Sequence, residues 1–141
     1  MSTLNRLLYR NMILSMNQSK IGVSPNKAKP YLFLSIIDGI SQNIISDNKI
    51  LFEDVVLLYQ ERIKSSKETV ARIVYPFYFL ASDGFYHLQW KGNPVKTKSP
   101  SAKFIRDHID YAYLDNALWD LLQDVEVRQE YKELIENHYL T

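Results

Sequence analysis

The 141-residue chain is 46% hydrophobic and 23% charged and has a formal net charge of +1, which is the composition of one ordinary globular domain. It has no cysteine, which excludes a disulfide framework, a thiolate metal site and a cysteine nucleophile. No apolar run approaches the length of a membrane span and polar residues interrupt the N-terminal stretch, so we expect a cytoplasmic protein with no membrane partner.

The charge is divided unevenly along the chain. Residues 1–106 carry 15 Lys/Arg against 7 Asp/Glu, whereas residues 107–141 carry 2 against 9. Such asymmetry is typical of proteins whose basic part binds a polyanion. The alternative is that the acidic C-terminal segment packs over the basic part and neutralises it, so the position of that segment distinguishes the two interpretations.

Apolar periodicity predicts three helices in the first half of the chain. Residues 3–17 form an amphipathic pattern whose apolar face includes Leu4, Leu7 and Leu8. A helix starting at Pro30 is apolar nearly all round and is therefore predicted to be the central buried helix. Residues 52–63 form the third helix, and the connector over 45–51 is compatible with a short strand.

The aromatic-rich stretch over 75–90 predicts a β-hairpin. Asp83-Gly84 separates two apolar runs, and Gly tolerates the positive φ that hairpin turns require. We therefore expect strands at about residues 71–80 and 85–90. Residues 103–113 are compatible with a short helix or an extended piece, and two helices follow, the first capped by Asp115 or Asn116 and the second by Asp124. The predicted fold is α+β: a predominantly helical single domain with one β-hairpin and a winged-helix-like middle portion.

The usual catalytic and metal-binding patterns are not found. The three histidines, His87, His108 and His138, form no spaced pair, and there is no glycine-rich phosphate loop. A small hydrolase using His108 with Asp107 or Asp110 is an alternative, but a solvated loop is the simpler explanation of that cluster. We expect no catalytic residue, metal or cofactor in this chain.

Two groups of basic residues favour binding of a polyanion. One lies just before the central helix, whose N-terminus presents free backbone N–H groups. The other lies in a basic segment over residues 91–106, where no acidic residue occurs. Phosphate contacts require Lys and Arg gathered on one surface. The candidate phosphate-binding residues are Lys27, Lys29, Lys96, Lys98, Lys103 and Arg106.

Three segments resemble the N-terminal DNA-reading domain of HNH-type restriction endonucleases. NKAKPYLFLSIIDGI at 26–40 is similar to its opening helix, YPFYFLASDGFYHL at 75–88 to its Tyr-Pro-Phe…Asp-Gly-Phe hairpin, and LDNALWDLLQDVEVRQEYKELIENHYL at 114–140 to its closing helices. The family includes the sulfur-binding domains of type IV restriction enzymes, which recognise phosphorothioate-modified DNA. The resemblance therefore implies a DNA partner and one DNA-binding-like domain over residues 1–141, without a nuclease domain and without catalytic activity of its own.

The resemblance also implies an apolar pocket for the sulfur atom. Tyr75 and Pro76 match one wall of that pocket, and Tyr113 with Ala117, four residues apart at a helix start, resembles the other wall. One departure concerns the basic residue that family members often carry shortly after Tyr-Pro-Phe, because this chain has Tyr78-Phe79 there. A protein-interaction or regulatory domain that uses the acidic C-terminal helix is the alternative function, and a homodimer is left open.

Overall fold

The computed structural model describes residues 3–21, 24–66 and 70–141. In chain order the elements are α1 (Thr3–Leu14), β1 (Lys20–Ile21), β2 (Ser24–Pro25), α2 (Ala28–Ser41), α3 (Phe52–Lys64), α4 (Val74–Phe79), a 3-10 helix (Leu80–Asp83), β3 (Tyr86–Trp90), α5 (Ala102–His108), β4 (Ile109–Leu114), α6 (Asn116–Leu121) and α7 (Val125–Tyr139). The predicted α+β class is confirmed: the described residues are mostly helical, β1 pairs antiparallel with β2, and β3 pairs antiparallel with β4.

Helix α2 is the central element, as predicted. It is buried on nearly every side and packs against α3, α4 and α7. Gly39 permits the close approach of α2 to its neighbours, because a Cβ there would lie 2.6 Å from Ile45 Cδ1 and 2.8 Å from Leu58 Cδ1. Phe33 at its centre meets Phe85 edge to face, with ring centroids 5.6 Å apart. The core is therefore built around this helix.

The first arm of the predicted hairpin is wrong, because residues 74–79 form helix α4 and residues 80–83 a 3-10 helix. Phe77 and Leu80, three residues apart, are fully buried, which is helical spacing. Pro76 lies in the first turn of α4, where its missing N–H needs no partner, whereas it would interrupt a strand ladder. Gly84 does adopt a positive φ of 95°, but it ends the 3-10 helix.

The second arm is confirmed as β3, and its antiparallel partner is β4. His87 lies opposite Tyr113, and Ile50 forms an isolated bridge to Ala112, so the 45–51 connector does contribute strand-like pairing. Residues 103–113 are both helix and strand, divided between α5 and β4. In the sequence, α5 separates β3 from its partner β4. The middle of the chain therefore departs from a winged-helix plan, in which a short turn joins the two strands of the wing.

Helix α1 buries a different face from the one predicted. Tyr9 and Ile13 point into the core, whereas Leu4 is 74% exposed. Tyrosine hydroxyls of α7 hold α1 in place: Tyr131 Oη donates to the Arg6 carbonyl at 2.7 Å, and Tyr139 Oη donates to the Ile13 carbonyl at 2.5 Å. These polar contacts select the Tyr9–Ile13 face over the leucine stripe.

Buried tyrosines predict the response of the fold to high pH. Burial, together with the hydrogen bond from its hydroxyl to Asp115, raises the pKa of Tyr9 to about 12, and burial raises the pKa of Tyr131 to about 12. The folded protein therefore keeps both protons at pH values where the unfolded chain loses them, above about pH 10. We expect the free energy of unfolding to be constant just below pH 10 and to fall between about pH 10 and pH 12. Urea unfolding at a series of pH values measures this, and the fall should be shallower in Tyr9→Phe; constant stability up to pH 12 would contradict it.

Candidate nucleic-acid interface

A cavity of about 580 Å³ lies between residues 17–19 with Asn26, the first turn of α2, and α4. Its apolar lining comes mainly from α4 and from two small side chains, so the interior presents little hydrogen-bonding capacity. The apolar residues are Ala28, Ala71, Tyr75, Pro76 and Phe79, and the polar ones are Asn17, Gln18, Ser19, Asn26, Lys29 and Ser82. The structure thus brings three predicted site residues, Lys29, Tyr75 and Pro76, to one cavity.

Helix α4 presents one face to the cavity and the other to the core. Tyr75 and Phe79 are four residues apart, which places them on the same face. Phe77 points the opposite way and contacts the rings of Phe52 and Tyr86 edge to face, with centroids 5.1 and 6.2 Å away. The aromatic run therefore serves two purposes: Phe77 anchors the helix, and Tyr75 with Phe79 lines the cavity.

The polar wall is held together by Asn26. Its Oδ1 accepts the Ala28 backbone N–H at 3.0 Å, and its Nδ2 donates to Ser19 Oγ at 3.2 Å. Gln18 Nε2 donates to the Asn26 carbonyl at 3.0 Å. These hydrogen bonds connect Gln18 and Ser19 to Asn26 and to the start of α2 within the protein.

Lys29 reaches the cavity with its charge already paired. Its Nζ lies 2.6 Å from Asp83 Oδ2, and the two side chains are only 13% and 2% exposed. The other carboxylate oxygen of Asp83 accepts the Asn17 backbone N–H at 2.7 Å. The sequence predicted Lys29 as a phosphate ligand, but the Asp83 carboxylate already neutralises its ammonium group. Lys27, at the N-cap position of α2, is half-buried.

The basic segment over 91–106 is attached to the outer side of α4 by Tyr78. Tyr78 Oη donates to the Val95 carbonyl at 3.4 Å and accepts the Thr97 backbone N–H at 3.2 Å. Lys96 and Lys98, which flank Thr97, are exposed. Within the part of the chain that the structure describes, neither lysine forms an ion pair. Two cations without an ion pair thus lie on the segment that Tyr78 attaches to α4.

Lys103 and Arg106 are exposed and paired. Lys103 Nζ lies 2.5 Å from Asp107 Oδ2, and Arg106 Nε lies 2.6 Å from Glu53 Oε1. Water screens exposed ion pairs of this kind, so exchange of either carboxylate for another anion costs little. These two residues remain candidate phosphate ligands.

Tyr113 and Ala117 do not lie at the cavity. Tyr113 is in β4, where its ring lies 5.1 Å from that of His87, and Ala117 is in α6, packed against the core. The sequence predicted that the two side chains share a helix start, and this prediction is wrong. Asn17, Gln18, Ser19 and Asn26 line the cavity together with Tyr75 and Pro76 instead.

Three features of the site escaped the sequence analysis. Phe79 was noted for standing where relatives often carry a basic residue. Its helical spacing from Tyr75 would have placed it on the same face of α4 as Tyr75. Asn26 bonds to Ser19 and to the Ala28 backbone N–H, and Asp83 accepts the Asn17 backbone N–H. The Lys29–Asp83 pair joins residues 54 positions apart. A local pattern carries no signal for such a pairing.

No metal site is evident among the described residues, since no group of three or more His, Asp or Glu side chains converges there. In the same ranges, no helix is long and apolar enough to cross a membrane. The Asp107–His108–Asp110 cluster falls at the junction of α5 and β4, and Asp107 is occupied by Lys103. The hydrolase alternative therefore gains no support from the geometry.

The arrangement of helices, cavity and strand pair is similar to that of solved structures. The sulfur-binding domain of SprMcrA, complexed with phosphorothioated DNA, superposes with a TM-score of 0.72 and 14% identity, over 96% of this chain and 86% of that one. The fold is that of a sulfur-binding domain. The sulfur-binding domain of ScoMcrA, also complexed with phosphorothioated DNA, matches with a TM-score of 0.72 and 14% identity, over 94% of this chain and 87% of that one.

The sulfur-binding-domain fold also occurs within a longer protein. The type IV phosphorothioation-dependent restriction endonuclease ScoMcrA matches 99% of this chain with a TM-score of 0.71 and 15% identity, and this chain covers 30% of it. By sequence, the chain matches no protein-family model and no curated protein. The likeness is therefore one of architecture.

Proposed function

We propose that this chain is a DNA-binding module that recognises phosphorothioate-modified DNA and acts as the non-catalytic reader of a restriction endonuclease. The observation that carries the proposal is the mostly apolar cavity lined by α4, in a fold of which two solved examples are complexed with phosphorothioated DNA. We infer that it acts in the cytoplasm, where the DNA that restriction enzymes cleave is found.

The chemistry of the cavity favours sulfur over oxygen. A non-bridging phosphate oxygen is strongly hydrated, and moving it into an apolar cavity is costly unless new hydrogen bonds replace the lost water. Sulfur is larger, softer and less strongly hydrated, so the same transfer costs less. Tyr75, Pro76 and Phe79 offer contact area to such an atom without demanding a hydrogen bond.

The charges around the cavity support binding of a DNA backbone. Lys96 and Lys98 are exposed on the segment attached to α4, and Lys103 and Arg106 follow in α5. We assign these four residues, with Lys27, to phosphate contacts that position the duplex but read no bases. Lys29 is not included, because it lines the cavity and its charge is paired with Asp83.

The acidic C-terminal helix does not cover this basic surface. Helix α7 packs against α1 and α2, and Glu130 pairs with Arg6 at 2.5 Å. Neutralisation of the basic segment by the acidic tail is therefore absent for Lys96 and Lys98 among the described residues. The homodimer left open above stays a prediction, which sedimentation of the chain in solution checks.

The test is a titration of three otherwise identical duplexes that carry an ordinary linkage, an Rp phosphorothioate or an Sp phosphorothioate. We expect one sulfur diastereomer to bind at least about tenfold more tightly than the ordinary duplex, because only one places sulfur in the cavity. Affinity for all three should fall steeply between about 50 and about 200 mM salt as counterions are released. Equal affinity for the three duplexes would overturn the proposed sulfur recognition, and no binding at low salt would overturn DNA binding altogether.

Tyr78→Phe tests whether the tethered segment grips the backbone. Loss of the hydroxyl removes both hydrogen bonds that hold residues 95 and 97 against α4, and each net hydrogen bond contributes about 1 kcal/mol. We expect about 3- to 10-fold weaker binding to modified and ordinary duplexes alike, with the ratio of the two affinities retained. Fluorescence anisotropy measures both. A change confined to the modified duplex would show that Tyr78 acts through the cavity instead.

A further inference from the structure

We propose that Asp83 sets the preference of the cavity for sulfur by withholding the Lys29 ammonium group from an entering phosphate oxygen. This inference rests on the proposed function, since it explains how a cavity that contains a lysine could still favour the less hydrated atom. Asp83 is thus a specificity-determining residue that contacts no DNA.

The geometry places Asp83 behind the cavity wall. Lys29 lines the cavity, whereas Asp83 does not, and its side chain is 2% exposed. Both carboxylate oxygens are occupied, one by Lys29 Nζ at 2.6 Å and one by the Asn17 backbone N–H at 2.7 Å. The Asn17 bond fixes the carboxylate, so Lys29 is held by an immobile partner.

This ion pair is more enclosed than the others among the described residues. Arg62–Asp38, the next most enclosed, has side chains that are 19% and 23% exposed, and Lys103–Asp107 has side chains that are 85% and 49% exposed. Water screens exposed pairs, so their cations exchange partners readily. An enclosed pair is screened much less, and removing either partner leaves an uncompensated charge. Lys29 is therefore the site cation least able to leave its carboxylate for a phosphate.

The consequence is selection against oxygen. A free ammonium group in the cavity would form a charge-assisted hydrogen bond to a phosphate oxygen and offset the loss of its water. Because Asp83 takes that bond, an oxygen entering the cavity loses water and gains little. Sulfur loses less water and is penalised less. Discrimination of this kind comes from an unfavourable element built against the competing ligand as much as from contacts to the preferred one.

Asp83→Asn tests the proposal directly. The amide is close in size to the carboxylate and can still accept the Asn17 N–H, but it no longer neutralises Lys29. We expect the affinity for the ordinary duplex to rise about tenfold at low salt and the slope of log K against log salt to steepen by about 0.9, as for one added phosphate contact. Affinity for the sulfur duplex should rise less, so the ratio of affinities falls.

A second pair of variants covers the case in which the unpaired lysine destabilises the fold. Lys29→Gln leaves the carboxylate unopposed and should weaken binding of both duplexes. Lys29→Gln/Asp83→Asn contains no buried charge at this position, and it should bind more tightly than Lys29→Gln and keep a sulfur preference near that of the native protein. Asp107→Asn is the matched control, since it frees an exposed lysine away from the cavity and should shift both affinities together.

The outcomes separate the two proposals. If the native chain prefers sulfur and Asp83→Asn keeps the same affinity ratio and salt slope, the role of Asp83 is overturned while the proposed function stands. Equal affinities of Lys29→Gln and Lys29→Gln/Asp83→Asn for the ordinary duplex would overturn it as well. If the native chain shows no sulfur preference, the proposed function fails and the role of Asp83 fails with it.

Discussion

Tyr75→Glu should abolish most DNA binding while leaving the protein folded. Tyr75 is 36% exposed at the cavity and points away from the core, so its replacement by a polar side chain removes little core packing. At an effective dielectric constant of about 20, two like charges about 4 Å apart repel by about 4 kcal/mol. A phosphate seated in the cavity would meet this repulsion, and we expect binding of the sulfur duplex to weaken at least about a hundredfold.

The matched control for Tyr75→Glu is Leu57→Glu. Leu57 is 69% exposed on α3 and does not line the cavity, so this variant makes the same change of net charge at another apolar surface position. Both variants should retain a native circular dichroism spectrum, and anisotropy titrations should show a large loss only for Tyr75→Glu. Comparable losses in the two variants would mean that net charge, and not the cavity, controls binding.

Phe77→Ala should lower the free energy of unfolding more than any other alanine substitution in α4. The ring is fully buried between Phe52 and Tyr86, and truncation of such a phenylalanine leaves a cavity that costs about 3 to 5 kcal/mol. Urea unfolding followed by circular dichroism measures the loss. Because Phe77 anchors the helix that lines the cavity, the variant should also bind DNA less tightly wherever it remains folded.

Phe79→Ala provides the comparison, because it makes the same change two residues away on the cavity side of the helix. Its ring is only partly buried, so we expect a smaller loss of about 1 to 2 kcal/mol. The difference between the two variants reports which face of α4 meets the core. Equal losses would contradict the orientation of α4 described above.

The helical part of the fold was predictable because its signals are local. The apolar run of α2 and the pattern over α7, with Asp124 accepting the Glu126 N–H as its cap, correspond to the predictions within a few residues. The stretch 74–80 was misassigned because nearly every residue in it is apolar or aromatic, which fits alternation and helical spacing equally well. Pro76 was the discriminating residue, since it is acceptable in a first helical turn and costly in a paired strand.

The candidate site was predictable only in part, for a related reason. Tyr75, Pro76 and Lys29 were identified from residue type and resemblance, and the structure places all three at one cavity. Tyr113 was assigned to a helix and lies in a strand, because the boundary between α5 and β4 carries no cap or turn residue that marks it. Asp83 was interpreted as a turn residue, and its pairing with Lys29 depends on how α2 meets the 3-10 helix, which is a tertiary property.

The hydroxyl contacts between α1 and α7 have a consequence for how the chain is made. They join residues 125 and 126 positions apart, so α1 is synthesised well before the α7 tyrosines that hold it. Until then α1 presents both its leucine stripe and its Tyr9–Ile13 face to the surroundings, with neither covered. The domain therefore completes its fold only after α7 has left the ribosome, and the unfinished domain is the state most exposed to aggregation.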